Sequence, residues 1–266
     1  MSAIDQLFKT LRVSGRKAMM PFITAGDPDL DFTAAVLRKL VDAGCPICEL
    51  GIPYSDPIAD GPVIQASYTR SLEKKIKLAD ILSMLRTTTP SLHAPVVTMV
   101  SYSIVYRHGL EKYVSEAKAA GVAGAIVPDL PVEESAKLRE ICRHEDFSLI
   151  QLITPTTPAD RAKKIAEQTT GFIYYVSVAG ITGERTSLPQ NIVENVSRLR
   201  EQTSLPICIG FGISRPEHVK LLAPVADGLI VGSAIVRRMA EVGVKSRETV
   251  LDEIGAYVKE LLAALD

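Results

Sequence analysis

Short apolar runs rich in Val and Ile recur along the chain at 18–24, 47–50, 95–100, 124–127, 148–153, 172–176, 206–209 and 228–231. They are short, lack polar alternation and are flanked by Gly and Pro, the pattern of strands covered on both faces. Between them, 31–43, 63–72, 78–86, 110–120 and 132–143 carry apolar positions at helical spacing. Gly44 and Gly121 stop two of these helices, and the N-terminal MSAIDQLFKTLRV reads as a short amphipathic helix. Thr157-Pro158-Ala159-Asp160 offers a cap residue, a proline at the first helical position and an acid in the first turn. Ser187-Leu188-Pro189-Gln190 and Ser214-Arg215-Pro216-Glu217 read as capping boxes.

Eight short strands alternating with helices predict an α/β fold, a single-domain (β/α)8 TIM barrel over 1–266 with an extra N-terminal helix. The competing open, doubly wound sheet wants a GxGxxG turn after its first strand, which Ala25-Gly26-Asp27 does not supply. A net charge of -1 and a pI near 6.5 give no basic field for nucleic acid or an anionic membrane, so partners are expected among small molecules and proteins. No apolar run reaches membrane-spanning length and the N-terminus does not read as a signal peptide, which points to the cytoplasm. The four cysteines make no disulfide scaffold, and Cys45 and Cys48 enter a strand, whereas a redox CxxC opens a helix. No metal site is expected.

Chemistry concentrates in Glu49 to Gln65, ELGIPYSDPIADGPVIQ. Glu49 ends a buried strand, where an ionised carboxylate is costly unless it is paired or faces a wet pocket. Strand alternation puts it on the side of Ile47, toward the mouth of the barrel, where the active sites of such folds lie. The following loop returns Asp56 and Asp60, which act either in the site or as turn caps. Asp129 is the remaining acid at a strand exit. No lysine ends a strand, which argues against a Schiff base. His93, His108, His144 and His218 lack ligand spacing and read as solvated. Gly210-Phe211-Gly212-Ile213-Ser214 and Gly232-Ser233-Ala234 follow the last two strands, where backbone N–H groups and a helix start favour a phosphate. The long polar segment 178–187 suits a lid, with Gly183 in reach of the same phosphate and Arg185 either holding it closed or standing as a solvated surface arginine.

PFITAGDP, ELGIPYSDPIADGPVIQ, IVPDLP, AGITGERT, GFGIS and VGSAIV occur in order along nearly the whole chain. In these motifs the chain resembles the tryptophan synthase alpha subunit family. The resemblance implies cleavage of indole-3-glycerol phosphate to indole and glyceraldehyde 3-phosphate, a lyase step of tryptophan biosynthesis. It implies Glu49 as the proton-transfer residue and Asp60 as the partner of the indole N–H, with Phe22 and Tyr174 around the ring. Thr182 then approaches Asp60 on closure, and Gly183, Gly212, Gly232 and Ser233 contact the phosphate. No cofactor is implied in this chain. Pyridoxal phosphate belongs to a beta subunit, with which family members form an alpha2-beta2 tetramer. One departure is Tyr102-Ser103-Ile104, where the family usually has an Asn, on the face that meets the beta subunit. A regulatory module that mainly activates its partner, and a barrel acting on another phosphorylated substrate, stand as alternatives.

Overall fold

The computed structural model describes residues 1–57, 60–176, 192–210 and 212–265. Its strands are β1 Ala18–Thr24, β2 Cys48–Gly51, β3 Val96–Met99, β4 Val122–Ile126, β5 Ser148–Ile150, β6 Leu152–Ile153, β7 Ile173–Val176, β8 Ile207–Gly210 and β9 Gly228–Val231. They pair in parallel in the order β5-β4-β3-β2-β1-β9-β8-β7-β6. The run expected at 148–153 is thus divided at Gln151, its first half bonded to β4 and its second to β7. The Gln151 carbonyl accepts the Tyr174 N–H at 3.1 Å, so the ladder continues through the break. With β5 and β6 as one position, the nine segments form the expected eight-position barrel.

Alternate strand residues sort into two apolar layers. Met20, Phe22, Ile47, Val97, Ile126, Ile150 and Tyr174 fill the interior. Their neighbours Met19, Ile23, Leu50, Val96, Leu149 and Tyr175 pack outward with the helices. This two-sided burial is why the strands read as continuous apolar runs. The N-terminal helix Ala3–Val13 is held by a Ser2–Asp5 capping box. It buries Ile4, Phe8 and Leu11 with the interior residues, Phe8 lying 5.8 Å from the Phe172 ring.

Several local expectations are corrected. Helix Ala159–Gln168 has no side-chain cap, and Thr157 Oγ1 instead accepts the Thr154 N–H at 3.0 Å, closing the preceding turn. Helix Pro216–Leu222 follows Arg215 without a capping box. His218 is buried, accepting the Ser214 N–H on Nδ1 at 3.3 Å, whereas His93 and His144 are exposed. The proposed box at Ser187 lies outside the described residues. Helix Tyr102–His108 was not expected; it starts at a Ser101 cap, is seven residues long and is too short to show a clear period. Among the described residues no helix is long and apolar enough to cross a membrane.

Candidate active site

β2 places Glu49 beside Phe22 of β1 and Val97 of β3 at the carboxyl end of the barrel interior. Its side chain is fully buried, and neither carboxylate oxygen receives a hydrogen bond among the described residues. Burial, and then the charge of Asp60, push the Glu49 carboxyl up to about 8. The loop after β2 folds back through a turn in which the Asp60 N–H donates to the Pro57 carbonyl at 3.0 Å. Gln65 Nε2 donates to the Asp60 carbonyl at 2.7 Å, fixing the loop to the start of the next helix. Asp60 is partly buried, and desolvation raises its carboxyl to about 6. Near neutral pH the pair is therefore split, Glu49 mainly protonated and Asp60 mainly ionised.

The helix Pro62–Glu73 that follows is stitched to the end of β1. Thr24 Oγ1 and Ser67 Oγ lie 2.6 Å apart, and Ser71 Oγ donates to the Ala25 carbonyl at 2.8 Å. Arg70 donates two bonds to the buried Asp27 carboxylate, at 2.8 and 2.7 Å. None of these residues stood out in the sequence, although Ser67, Arg70 and Ser71 form a polar stripe at helical spacing on or beside the buried face of this helix. Arg70→Ala leaves the Asp27 carboxylate unpaired and is expected to cost about 3 kcal/mol in denaturant unfolding. Arg70→Lys restores only part of this, because an ammonium cannot reproduce the two-pronged geometry. An unchanged midpoint in both variants would remove the pair from the forces holding this helix.

A cavity of about 110 Å³ opens at Asp60, lined also by Ile52, Tyr54, Tyr68, Met99, Val100, Pro128 and Leu152 among others. The lining is mainly apolar with Asp56, Asp60 and Asp129 at its rim, suited to a flat aromatic ring that carries an N–H. Phe22 and Tyr174 are both buried in the interior cluster. Their rings lie against glycines: a Cβ on Gly51 would come within 2.5 Å of Phe22 Cζ, and one on Gly210 within 2.6 Å of Tyr174 Oη. Asp129 is absorbed structurally, accepting Ser101 Oγ and the Tyr102 N–H, each at 2.7 Å, and so joining the β3 and β4 exits. Asp56 is exposed and accepts the Ser55 hydroxyl at 2.8 Å, which favours its reading as a turn residue.

Gly212 follows β8 in the left-handed region, φ +81°, and Gly232 follows β9 at the start of the helix Ser233–Met239. The nearest atoms a Cβ on Gly232 would meet belong to Phe22, at 3.5 Å, an ordinary contact, so packing alone does not demand glycine there. Ser233 sits at the first helical position, where N–H groups have no partner within the helix. The two exits belong to paired strands, which brings Gly212, Gly232 and Ser233 to one side of the mouth. Thr182, Gly183, Arg185, the rest of 178–187 and Phe211 lie outside the described residues. Ile104 of the divergent third exit packs against the outer core, while Tyr106 is 70 % exposed. The four cysteines are free and buried, burial pushing Cys45 and Cys142 up to about 12. Among the described residues no His, Cys, Asp or Glu cluster is arranged to hold a metal.

The family described as tryptophan synthase alpha chain matches residues 8–265. The chain belongs to the tryptophan synthase alpha chain family. A tryptophan synthase alpha chain from Rhodopirellula baltica is 56 % identical over 276 aligned positions, covering 100 % of this chain and 99 % of the relative. The Arabidopsis thaliana tryptophan synthase alpha chain is 45 % identical, over 98 % of this chain and 95 % of the relative. The crystal structure of tryptophan synthase subunit alpha from Legionella pneumophila superposes with a TM-score of 0.91 at 33 % identity, covering 100 % of this chain and 99 % of that one. Full-length agreement in fold and sequence makes this chain an enzyme of the alpha chain family, with β2 and the paired β8 and β9 exits forming its candidate site.

Proposed function

We propose that the chain, as the alpha subunit of tryptophan synthase, cleaves indole-3-glycerol phosphate by a retro-aldol reaction in which Glu49 transfers protons and Asp60 supports the ring. The observation that carries this reading is the fully buried Glu49 carboxyl, unpartnered among the described residues at the barrel mouth, with the partly buried Asp60 lining the cavity there; burial pushes the two carboxyls up to about 8 and about 6. The indole ring occupies the apolar cavity with its N–H toward the ionised Asp60. Protonated Glu49 delivers its proton to ring carbon C3, and positive charge moves to the ring nitrogen, where Asp60 stabilises it. Glu49, now a carboxylate, takes the proton of the hydroxyl on the carbon attached to C3. The carbon–carbon bond breaks, its electrons return to the ring as indole, and the alkoxide carbon becomes the aldehyde of glyceraldehyde 3-phosphate. One proton is given and one recovered, so the site is ready for another turnover.

The backbone at Gly212, Gly232 and Ser233, together with Gly183, holds the phosphate in this scheme, and Phe22 and Tyr174 flank the ring. Thr182 closes toward Asp60 when the segment 178–187 covers the site. The chemistry requires no cofactor in this chain, pyridoxal phosphate belonging to the beta subunit, with which the chain forms an alpha2-beta2 tetramer in the cytoplasm. The alpha chain names of the relatives, and a Mycobacterium tuberculosis tryptophan synthase structure matched at a TM-score of 0.90 and 29 % identity, support such a partner.

Indole release from indole-3-glycerol phosphate by the purified chain, with and without a beta subunit, tests the reading. The expected kcat/KM profile is a bell. It falls below about 6 as Asp60 takes up a proton, and above about 8 as Glu49 loses the proton it must deliver. A profile flat from about pH 5 to 9 would separate the pair from the rate-determining chemistry. Absence of release in both conditions from folded protein would leave the chain a regulatory module.

A further inference from the structure

Tyr68 projects from the helix Pro62–Glu73 into the barrel interior, where it is 4 % exposed and packs in one cluster with Phe22 and Tyr174. Its hydroxyl reaches the strand that carries Glu49, since a Cβ built on Gly51 would lie 2.8 Å from Tyr68 Oη. Gly51 shares the inward face of β2 with Glu49, one pleat further toward the mouth. The side chain also lines the cavity that contains Asp60. Burial, then the charges of Asp60 and Glu49, push the phenol well above its ordinary value, so it stays a neutral O–H donor through the working pH range. Among the described residues that hydroxyl makes no hydrogen bond. The side chain borders the cavity, so a ligand seated there can supply the acceptor and take the place of solvent at the hydroxyl.

Which atom of the substrate can accept follows from its chemistry. The indole ring offers a donor N–H and no good acceptor, and that N–H faces Asp60. The phosphate lies at the β8 and β9 exits, and the hydroxyl beside the reacting carbon is served by Glu49. The remaining acceptors are the oxygens of the glycerol chain, which must pass the end of β2 on the way from ring to phosphate. We propose that Tyr68 is a specificity-determining residue whose hydroxyl donates to a glycerol hydroxyl oxygen, so that the site distinguishes a polyhydroxylated indole phosphate from its plain alkyl counterpart. This rests on the cleavage reading above. A site that pairs a buried donor with a ligand hydroxyl rejects the analogue lacking it, because the donor is then left unpaired.

Tyr68→Phe removes the oxygen and keeps the ring. The expected result is a fall of about three- to tenfold in kcat/KM for indole-3-glycerol phosphate, the range of one neutral hydrogen bond. Affinity for the indole alkyl phosphate of equal length without hydroxyls should stay within about twofold of wild type in the same titrations. Retained binding of that analogue also reports that the variant is folded. Unchanged kcat/KM, or an equal loss on both compounds, would overturn the inference while leaving the cleavage reading intact. A wild-type chain that neither releases indole nor binds either compound would overturn the cleavage reading, and the inference with it.

Discussion

Glu49→Gln is expected to lower the turnover of indole-3-glycerol phosphate by about a hundred- to ten-thousand-fold, with little change in KM. The asymmetry follows from the state of the residue. With its carboxyl pushed up to about 8, Glu49 enters the proposed reaction near neutral pH as an uncharged acid, and glutamine is close to that acid in size and charge. The fully buried side chain therefore keeps its packing against Phe22 and Val97, and the ground-state complex is nearly unchanged. What glutamine cannot do is cede a proton to the ring carbon and recover one from the hydroxyl, an interaction realised only in the transition state. Steady-state indole release with varied substrate checks this. Wild-type turnover in the variant would remove Glu49 from the mechanism, and a loss carried mainly by KM would make it a binding residue.

The same substitution is expected to stabilise the folded chain at alkaline pH by about 4 kcal/mol at pH 7.5, and by little at pH 5. In the unfolded chain the Glu49 carboxyl ionises near its ordinary value of 4.5, and in the folded chain only near 8. Between these values the unfolded state loses its proton while the folded state holds it. Ionisation therefore favours unfolding, and stability present below about 4.5 is lost progressively as the pH rises toward 8. Glutamine does not titrate, so the variant lacks this loss. Urea unfolding of both proteins at pH 5 and pH 8 measures the gap, which should widen with pH. A constant gap would mean that the folded-state carboxyl is not raised. If Glu49 acts as proposed, the acid kept neutral by burial makes this barrel less stable than its packing allows, a known form of exchange between stability and activity.

The legible part of this protein lay in patterns confined to neighbouring residues. β1 and β9 have the bounds their apolar runs predict, and the other strands shift by one or two residues at their ends. The reason is that two-sided burial acts on every residue of a run and leaves a continuous signal. Glu49 stood out because an acid at the end of such a run conflicts with its surroundings, and such conflicts gather at sites. Helix starts were less legible. Thr157 and Ser214 have the side chains of caps, but the Thr157 hydroxyl accepts the Thr154 N–H instead, and Ser214 is held one residue before the helix by its backbone, its N–H donating to His218 Nδ1 and its carbonyl accepting the Tyr257 hydroxyl. His218 likewise reads as polar in sequence and is buried because that bond satisfies its ring nitrogen.

Residue type at short spacing set the alternation of strand and helix, the inward side of Glu49, and which exits carry Glu49, Asp60, Gly212, Gly232 and Ser233. Tertiary structure alone decided that the sheet closes through Gln151, that Asp27 finds Arg70, that Thr24 meets Ser67, and that the Tyr68 hydroxyl reaches Gly51. It also decided the different proton affinities of Glu49 and Asp60. Asp27 and Arg70, like Thr24 and Ser67, are 43 residues apart and meet only because barrel curvature brings the end of one strand against the helix that follows the next. A carboxyl's proton affinity is a property of the space around it, and that space exists only once the barrel has closed.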